Sequence, residues 1–174
     1  MQDGLIQGVL DLTTTELADE LVGGVLTAGP DRLEMAGRLG LPQVVSVGAL
    51  DMVNFGPIET VPERFRGRQL YKHNPTVTLM RTTPEECMRL GAMMAEKLNR
   101  ATGPTAVYIP ARGVSAIDTA GGAFFDPAAD KALSDTLRTG LRTGIECTVV
   151  DTDINDPAFA TAMADRLIAM LQPR

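Results

Sequence analysis

Histidine, cysteine and tryptophan are scarce in this chain, with one, two and none among its 174 residues. A lone histidine and two widely separated cysteines exclude the ligand spacings of a zinc site. Cys87 and Cys147 fall in segments patterned as a helix and a strand interior, so free buried thiols of a reducing compartment are expected rather than a disulfide. No apolar run approaches the roughly 20 residues that cross a bilayer. The opening Met1-Gln2-Asp3-Gly4 lacks the basic and then apolar regions of a signal peptide. A cytoplasmic protein without a membrane partner is expected. The net charge of −6 argues against a nucleic-acid-binding surface.

Glycine-rich phosphate loops are missing too. There is no G-x-x-x-x-G-K-[ST], no G-x-G-x-x-G after a strand and no G-x-S-x-G elbow. The glycine pairs Gly23-Gly24 and Gly121-Gly122 stand outside the strand–glycine–helix context that such a loop requires.

What is present is ordinary globular chemistry, 44% hydrophobic and 22% charged. Residues 1–174 are expected to form a single α/β domain, large enough to bury about two-thirds of its unfolded surface. Five segments carry strand signals, at 8–12, 43–47, 69–73, 105–109 and 145–151. Val9-Leu10, Val44-Val45 and the run 106–109 are continuously apolar, as in parallel strands covered on both faces.

Helix starts are sharper. Thr83-Pro84-Glu85-Glu86 is a capping box with proline at the first helical position, and Asp126-Pro127 and Asp156-Pro157 repeat the cap-then-proline start. Apolar stripes follow each start: Cys87, Leu90, Met94 and Leu98; then Leu133, Leu137 and Leu141; then Phe159, Met163, Leu167 and Met170. These predict helices over 84–100, 127–143 and 157–171, the last two ending near Gly144 and Pro173, with a shorter helix over 30–39. Strands alternating with amphipathic helices give a doubly wound, mainly parallel, Rossmann-like sheet with helices on both faces. The stub 1–7 enters its strand at once, so the domain reads as entered partway through.

In such sheets ligands bind beyond the carboxyl ends of the strands. Thr13, Thr14, Thr15 and Glu16 follow the first strand. They either present hydroxyls and helical N–H groups to a ligand or form a threonine cap beside a solvated glutamate. Glu16 would repel a phosphate there and favours a hydroxyl- or ribose-bearing group. Asp51 and Asn54 follow the second strand, and His73 and Asn74 the third. Arg112, Gly113, Ser115 and Asp118 follow the fourth. Arg112 either grips a carboxylate or phosphate bidentately, with Gly113 admitting close backbone approach, or pairs with Asp118 and pins its loop. His73, a lone histidine at a strand end, reads as a hydrogen-bonded structural residue before it reads as an acid/base. Aspartates at strand ends carry no metal-site pattern by themselves. The long stretches 48–68 and 112–125 exceed ordinary connections and are expected to be functional or partner-covered.

Five motifs occur in order: GVLDLTTTELADELVGG at 8–24, PQVVSVGALDMVNFG at 42–56, HNPTVTLMRTTPEEC at 73–87, RGVSAIDTAGGAFFDPAAD at 112–130 and DINDPAF at 153–159. Together they resemble the C-terminal lobe of the Tm-one-like (tomato mosaic virus resistance protein-like) ATP-binding family. The resemblance implies two Rossmann-like lobes, often assembled as dimers and in some members fused to an aldolase-type barrel. One plant member binds ATP and inhibits a viral replication protein. It also implies a further strand and a Gly/Thr-rich segment ahead of the first motif, so ATP is expected of the paired lobes rather than of this chain alone. The matching positions expected to line the interlobe crevice are Thr13, Thr14, Thr15, Glu16, Asp51, Asn54, His73, Asn74, Arg112, Ser115 and Asp118.

Three functions follow from these observations. The first is a nucleotide- or small-molecule-binding lobe acting with a companion lobe or in a homodimer. The second is a hydrolase or lyase for a carboxylate-bearing metabolite, with Arg112 as anchor and His73 or Asp51 as acid/base. The third is a protein-interaction module.

Overall fold

A computed structural model of the protein describes residues 1–172; Pro173, expected to stop the last helix, lies outside the described residues. In chain order the elements are β1 (Val9–Thr13), α1 (Glu16–Val22), α2 (Met35–Arg38), β2 (Gln43–Gly48), β3 (Met52–Phe55), β4 (Leu70–Asn74), β5 (Val77–Arg81), α3 (Pro84–Asn99), β6 (Thr105–Pro110), α4 (Pro127–Gly140), β7 (Glu146–Val150) and α5 (Pro157–Leu171).

Four strands form a parallel sheet in the order β1-β2-β6-β7. Its central strands β2 and β6 are buried at every residue, which is why their sequences are apolar without alternation. Alternate side chains supply two cores. Val45, Val47, Val107 and Ile109 join Leu17 of α1, Leu90 and Met94 of α3, and Leu133 and Leu137 of α4. Val44, Ala106 and Tyr108 join Ile154 and, from α5, Phe159 and Met163. Helices therefore cover both faces, and the doubly wound α/β architecture expected from the sequence is the one observed. Among the described residues β1 pairs only with β2, and no helix is long and apolar enough to cross a membrane.

The caps form as their sequences require. Glu86 N–H donates to Thr83 Oγ1 at 3.2 Å and Thr83 N–H to Glu86 Oε2 at 2.8 Å, completing the capping box of α3. Asp126 Oδ1 accepts from the N–H groups of Ala128 and Ala129, both at 3.1 Å, and Asp156 Oδ1 from that of Ala158 at 2.8 Å. Helices α3 and α4 approach closely because Gly91 has no side chain: a Cβ there would lie 2.7 Å from the Leu133 carbonyl oxygen.

Three expectations need correction. The 69–73 strand is not in the parallel sheet. It belongs to β4, which pairs antiparallel with β5 in a second sheet of order β3-β5-β4 packed on the larger core. The 30–39 helix shrinks to Met35–Arg38, because Leu33 adopts a left-handed conformation (φ 78°) that interrupts it. Helix α4 stops at Gly140, where Asn99 Nδ2 donates to the Gly140 carbonyl at 2.8 Å.

Replacing Asp126 by alanine strips two first-turn N–H groups of their acceptor. It should lower stability by about 1 kcal/mol, read as a reduced urea midpoint with an unchanged slope.

Candidate ligand site at the carboxyl edge of the parallel sheet

Parallel strands deliver their following loops to one edge, and here backbone bonds stitch those loops together. Thr14 N–H donates to the Gly48 carbonyl at 3.0 Å, Ala49 N–H to Val114 at 2.8 Å, Ala111 N–H to Val150 at 2.8 Å and Ile154 N–H to Gly113 at 3.0 Å. Ala49 takes a left-handed conformation (φ 57°) to turn the chain from β2 into β3. Such a conformation costs an L-residue about 1–2 kcal/mol. Gly113 (φ 132°) has no such latitude, since a Cβ would lie 2.7 Å from the Asp118 carbonyl oxygen.

Two polar networks lie behind this edge. In the first, Asn54 Nδ2 donates to Asp19 Oδ2 at 2.7 Å and to Thr15 Oγ1 at 3.1 Å, while Asn54 N–H donates to Asp19 Oδ1 at 2.8 Å. Burial pushes the Asp19 carboxyl above its ordinary range, opposed by the bonds from Asn54. Thr14 is buried and donates to the Ser46 carbonyl at 3.1 Å. Glu16 accepts from Arg32 Nε at 3.2 Å, and the same guanidinium grips Asp11 bidentately at 2.5 and 2.8 Å.

The second network is built on Arg81, at the end of β5 and 4% exposed. Its Nε donates to the Phe124 carbonyl at 2.8 Å, and its Nη2 donates to Asp118 Oδ1 at 3.2 Å and Asp130 Oδ1 at 2.6 Å. Asp118 Oδ2 accepts from the Val114 N–H at 3.0 Å, holding the loop that follows β6. Ser115 Oγ donates to Asp51 Oδ2 at 2.7 Å, while Asp51 Oδ1 is buried without a partner. Burial, with the charge of Asp130 added, pushes Asp51 up to about 6 against the Ser115 hydrogen bond and Arg81. Burial, with the charges of Asp130 and Asp51, pushes Asp118 to about 7 against the Val114 N–H and Arg81. Asp130 is raised by burial, against the charge and hydrogen bond of Arg81.

Next to this network a groove of about 460 Å³ opens between the ends of β6 and β7 and helix α4. Its walls are mainly apolar, from Val47, Ile109, Val114, Phe125 and Val149, with Arg112, Asp130 and Lys131 among them. Arg112 is two-thirds exposed and pairs bidentately with Asp151, at 2.7 and 2.6 Å. Asp118 is not its partner, being held by Arg81. Lys131 pairs with Asp135 one helical turn on.

Most of the anticipated residues lie along this edge, but only Arg112 among them lines the groove. Thr13, Thr14, Thr15, Glu16, Asp51, Asn54, Arg112, Gly113, Ser115 and Asp118 all lie on or just behind the one edge, and Thr15–Asn54 and Asp51–Ser115 are bonded pairs. His73 and Asn74 do not join them. Both are exposed at the far end of the β4–β5 hairpin, where Asn74 Oδ1 accepts from Thr76 N–H at 2.9 Å. Asn74 pairs with Val77, four residues along β5 from Arg81, a span of roughly 14 Å at the usual strand rise. Arg81, Asp130, Asp19 and Arg32 were not anticipated. A usable signal for Arg81 was the β-prone run Val77-Thr78-Leu79-Met80 directly after the Asn74-Pro75-Thr76 turn, which marks the second strand of a hairpin. Among the described residues no group of three or more His, Cys, Asp or Glu side chains is placed to hold a metal ion.

The raised carboxyls fix a pH dependence. An unfolded aspartate titrates near pH 3.9, so across the window up to about 7 the folded protein retains protons that the unfolded chain has lost. The resulting stability is complete below the unfolded value and is lost as pH rises through about 6 and 7. The urea midpoint should therefore increase as pH is lowered from 8 to 5. Asp118→Asn, which fixes a neutral group there, should remove most of the change above pH 6. A midpoint that falls on acidification through this window would contradict the burial argument.

The chain as a whole matches a known sequence family. A family model described as "Uncharacterised protein family (UPF0261) C-terminal domain" matches residues 1–171. The chain is 57% identical to a UPF0261 protein of Clostridium tetani over 99% of its own length and 43% of that protein. It is 56% identical to one of Rhizobium meliloti, over 91% of itself and 40% of the relative. With the ToMV resistance protein Tm-1 of Solanum lycopersicum it shares 45% identity over 97% of itself and 22% of Tm-1. The chain thus spans under half the length of each of these relatives. By a match along nearly its whole length, the chain belongs to the UPF0261 C-terminal domain family, of which tomato Tm-1 is a homologue.

Proposed function

We propose that this chain is a nucleotide- or small-molecule-binding lobe whose ligand lies in the carboxyl-edge groove and is completed by a companion lobe. The groove carries the reading. It has about 460 Å³ of mainly apolar space beyond the ends of β6 and β7, with Arg112 and Lys131 in its wall, and this is the place and composition of ligand sites in α/β sheets. Both cations are held by exposed ion pairs, which contribute little in water, so a ligand anion can replace Asp151 or Asp135 at small cost.

ATP is the ligand to test first. The apolar walls suit a base, and the two cations suit a phosphate. The sequence supplies no glycine-rich loop for the rest of the triphosphate, so that half of the site is assigned to the companion. The open edge of β1 supports such a companion, with exposed Leu10 on that strand and exposed Leu171 of α5 lying over Gly8. A homodimer would cover the same edge. A cytoplasmic setting agrees with the free thiols Cys87 and Cys147.

A hydrolase or lyase reading has one observation in its favour, the raised carboxyls of Asp51 and Asp118. Both side chains are sealed from solvent, and His73 stands at the far end of the hairpin, so binding is the better-supported function.

Titration calorimetry of ATP and small carboxylates into wild type, Arg112→Ala, Arg112→Lys and Asp151→Asn tests the reading. Loss of a charge-assisted, bidentate contact should weaken binding of the anion at least about tenfold in the alanine variant. Lysine should restore only part of it, and Asp151→Asn should tighten binding by releasing the guanidinium. Equal affinity in wild type and Arg112→Ala would mean that Arg112 only pins its loop to Asp151.

A further inference from the structure

Helix α4 carries two adjacent stripes. Ala129, Leu133 and Leu137 recur at helical spacing and are sealed in the core. Beside them, Pro127, Asp130, Lys131 and Ser134 face the groove. Asp130 stands apart from its neighbours because it is also part of the Arg81 cluster. Arg81 and Asp118 are 3% and 0% exposed in their side chains, whereas Asp130 retains 24%. Asp130 is thus the point at which the buried charge cluster reaches the groove wall. Arg81 Nη2 holds Oδ1 at 2.6 Å, and the Asp118 carboxyl shares a hydrogen bond with Asp130 from the buried side. The carboxylate is thus fixed from behind by the cluster, and its exposed part is an acceptor within mainly apolar walls.

We infer that Asp130 is the specificity-determining residue of this groove, and that its ligand joins an anionic group, held by Arg112, to an apolar body bearing a hydroxyl or ammonium donor for Asp130. This rests on the groove being the binding site and adds the class of ligand. An apolar anion with no donor would seal the exposed part of this carboxylate away from water without a new partner, and a desolvated acceptor is costly. A ligand that places a hydroxyl there replaces the lost water with a charge-assisted bond. Arg81 acts as a positioning residue, since it touches Asp130 and does not line the groove.

Matched probes separate this inference from the reading beneath it. 3-Phenylpropionate carries the anion and the apolar body, and its 3-hydroxyphenyl and 4-hydroxyphenyl analogues add a donor at two reaches. Dissociation constants are measured by NMR shift titration of the 174-residue chain, for wild type, Asp130→Asn and a groove control, Asp135→Asn. Asparagine keeps an acceptor for Arg81 but allows an amide to face the groove, and a urea melt checks that each variant is folded. Wild type and Asp135→Asn should prefer one hydroxylated probe at least about tenfold. Asp130→Asn should reduce that preference to about threefold or less while binding 3-phenylpropionate no more weakly than wild type does. If wild type binds all three probes equally, the assignment of Asp130 is overturned and the groove survives as the site. A folded Asp130→Asn that keeps the preference overturns it in the same way. If no probe binds wild type at millimolar concentration, both the assignment and the binding reading fall.

Discussion

A guanidinium enclosed by the fold has to find its partners there, and the partners of Arg81 are what join the pieces of this protein. Arg81 ends β5 in the antiparallel sheet, while its acceptors belong to other parts of the chain. Phe124 and Asp118 lie in the loop after β6, and Asp130 lies in α4. Taking charges out of water costs several kcal/mol per ion, so such a residue persists only where nearly every N–H is matched. Here the same guanidinium also donates to Thr82 Oγ1 at 3.1 Å, and Thr82 in turn donates to the Leu50 carbonyl at 2.9 Å. The chain following β2, the hairpin, the long 112–125 stretch and α4 thereby share one electrostatic centre. That centre is acidic in excess, with Asp51, Asp118 and Asp130 around a single cation, and burial raises all three carboxyls.

The groove depends on this arrangement. Its floor is made by β2, β6 and β7, whose positions follow from apolar burial. Part of its wall is Val114 and Asp130, whose positions follow from Asp118 and Arg81. The 112–125 stretch is long for a connection yet lies well packed, with Val114, Asp118 and Phe124 buried and Phe125 exposed beside the groove.

The parallel sheet was legible because β2 and β6 are covered on both faces and so read as unbroken apolar runs, and because each long helix begins with a cap followed by proline. The antiparallel sheet was not. Met52–Phe55 is only four residues long, and Val77–Arg81 follows a proline-bearing turn that looks like a loop, so the 69–73 strand was assigned to the only sheet in view. The site was half legible for a related reason. Parallel strands send their following loops to one edge, so Thr13–Glu16, Asp51, Asn54 and Arg112–Asp118 could be gathered without knowing any contact. Pairings are another matter. Arg112 finds Asp151 across 39 positions, and Arg81 finds Asp130 across 49, distances at which local sequence holds no information about a partner. Arginine is also usually solvated, which leaves a buried one unmarked in composition.

Amide hydrogen exchange on Arg81→Met tests most directly whether the cluster holds this edge together. Methionine approximates the volume of the aliphatic stem but makes none of the ionic bonds. If the account is right, the Val114, Asp118 and Phe124 amides lose protection by at least about tenfold more than Val45 and Val107 in the central strands, which are held by apolar burial instead. If those three amides keep their protection, or if the central strands lose as much as the loop does, Arg81 does not organise the edge and the groove must be explained by packing alone.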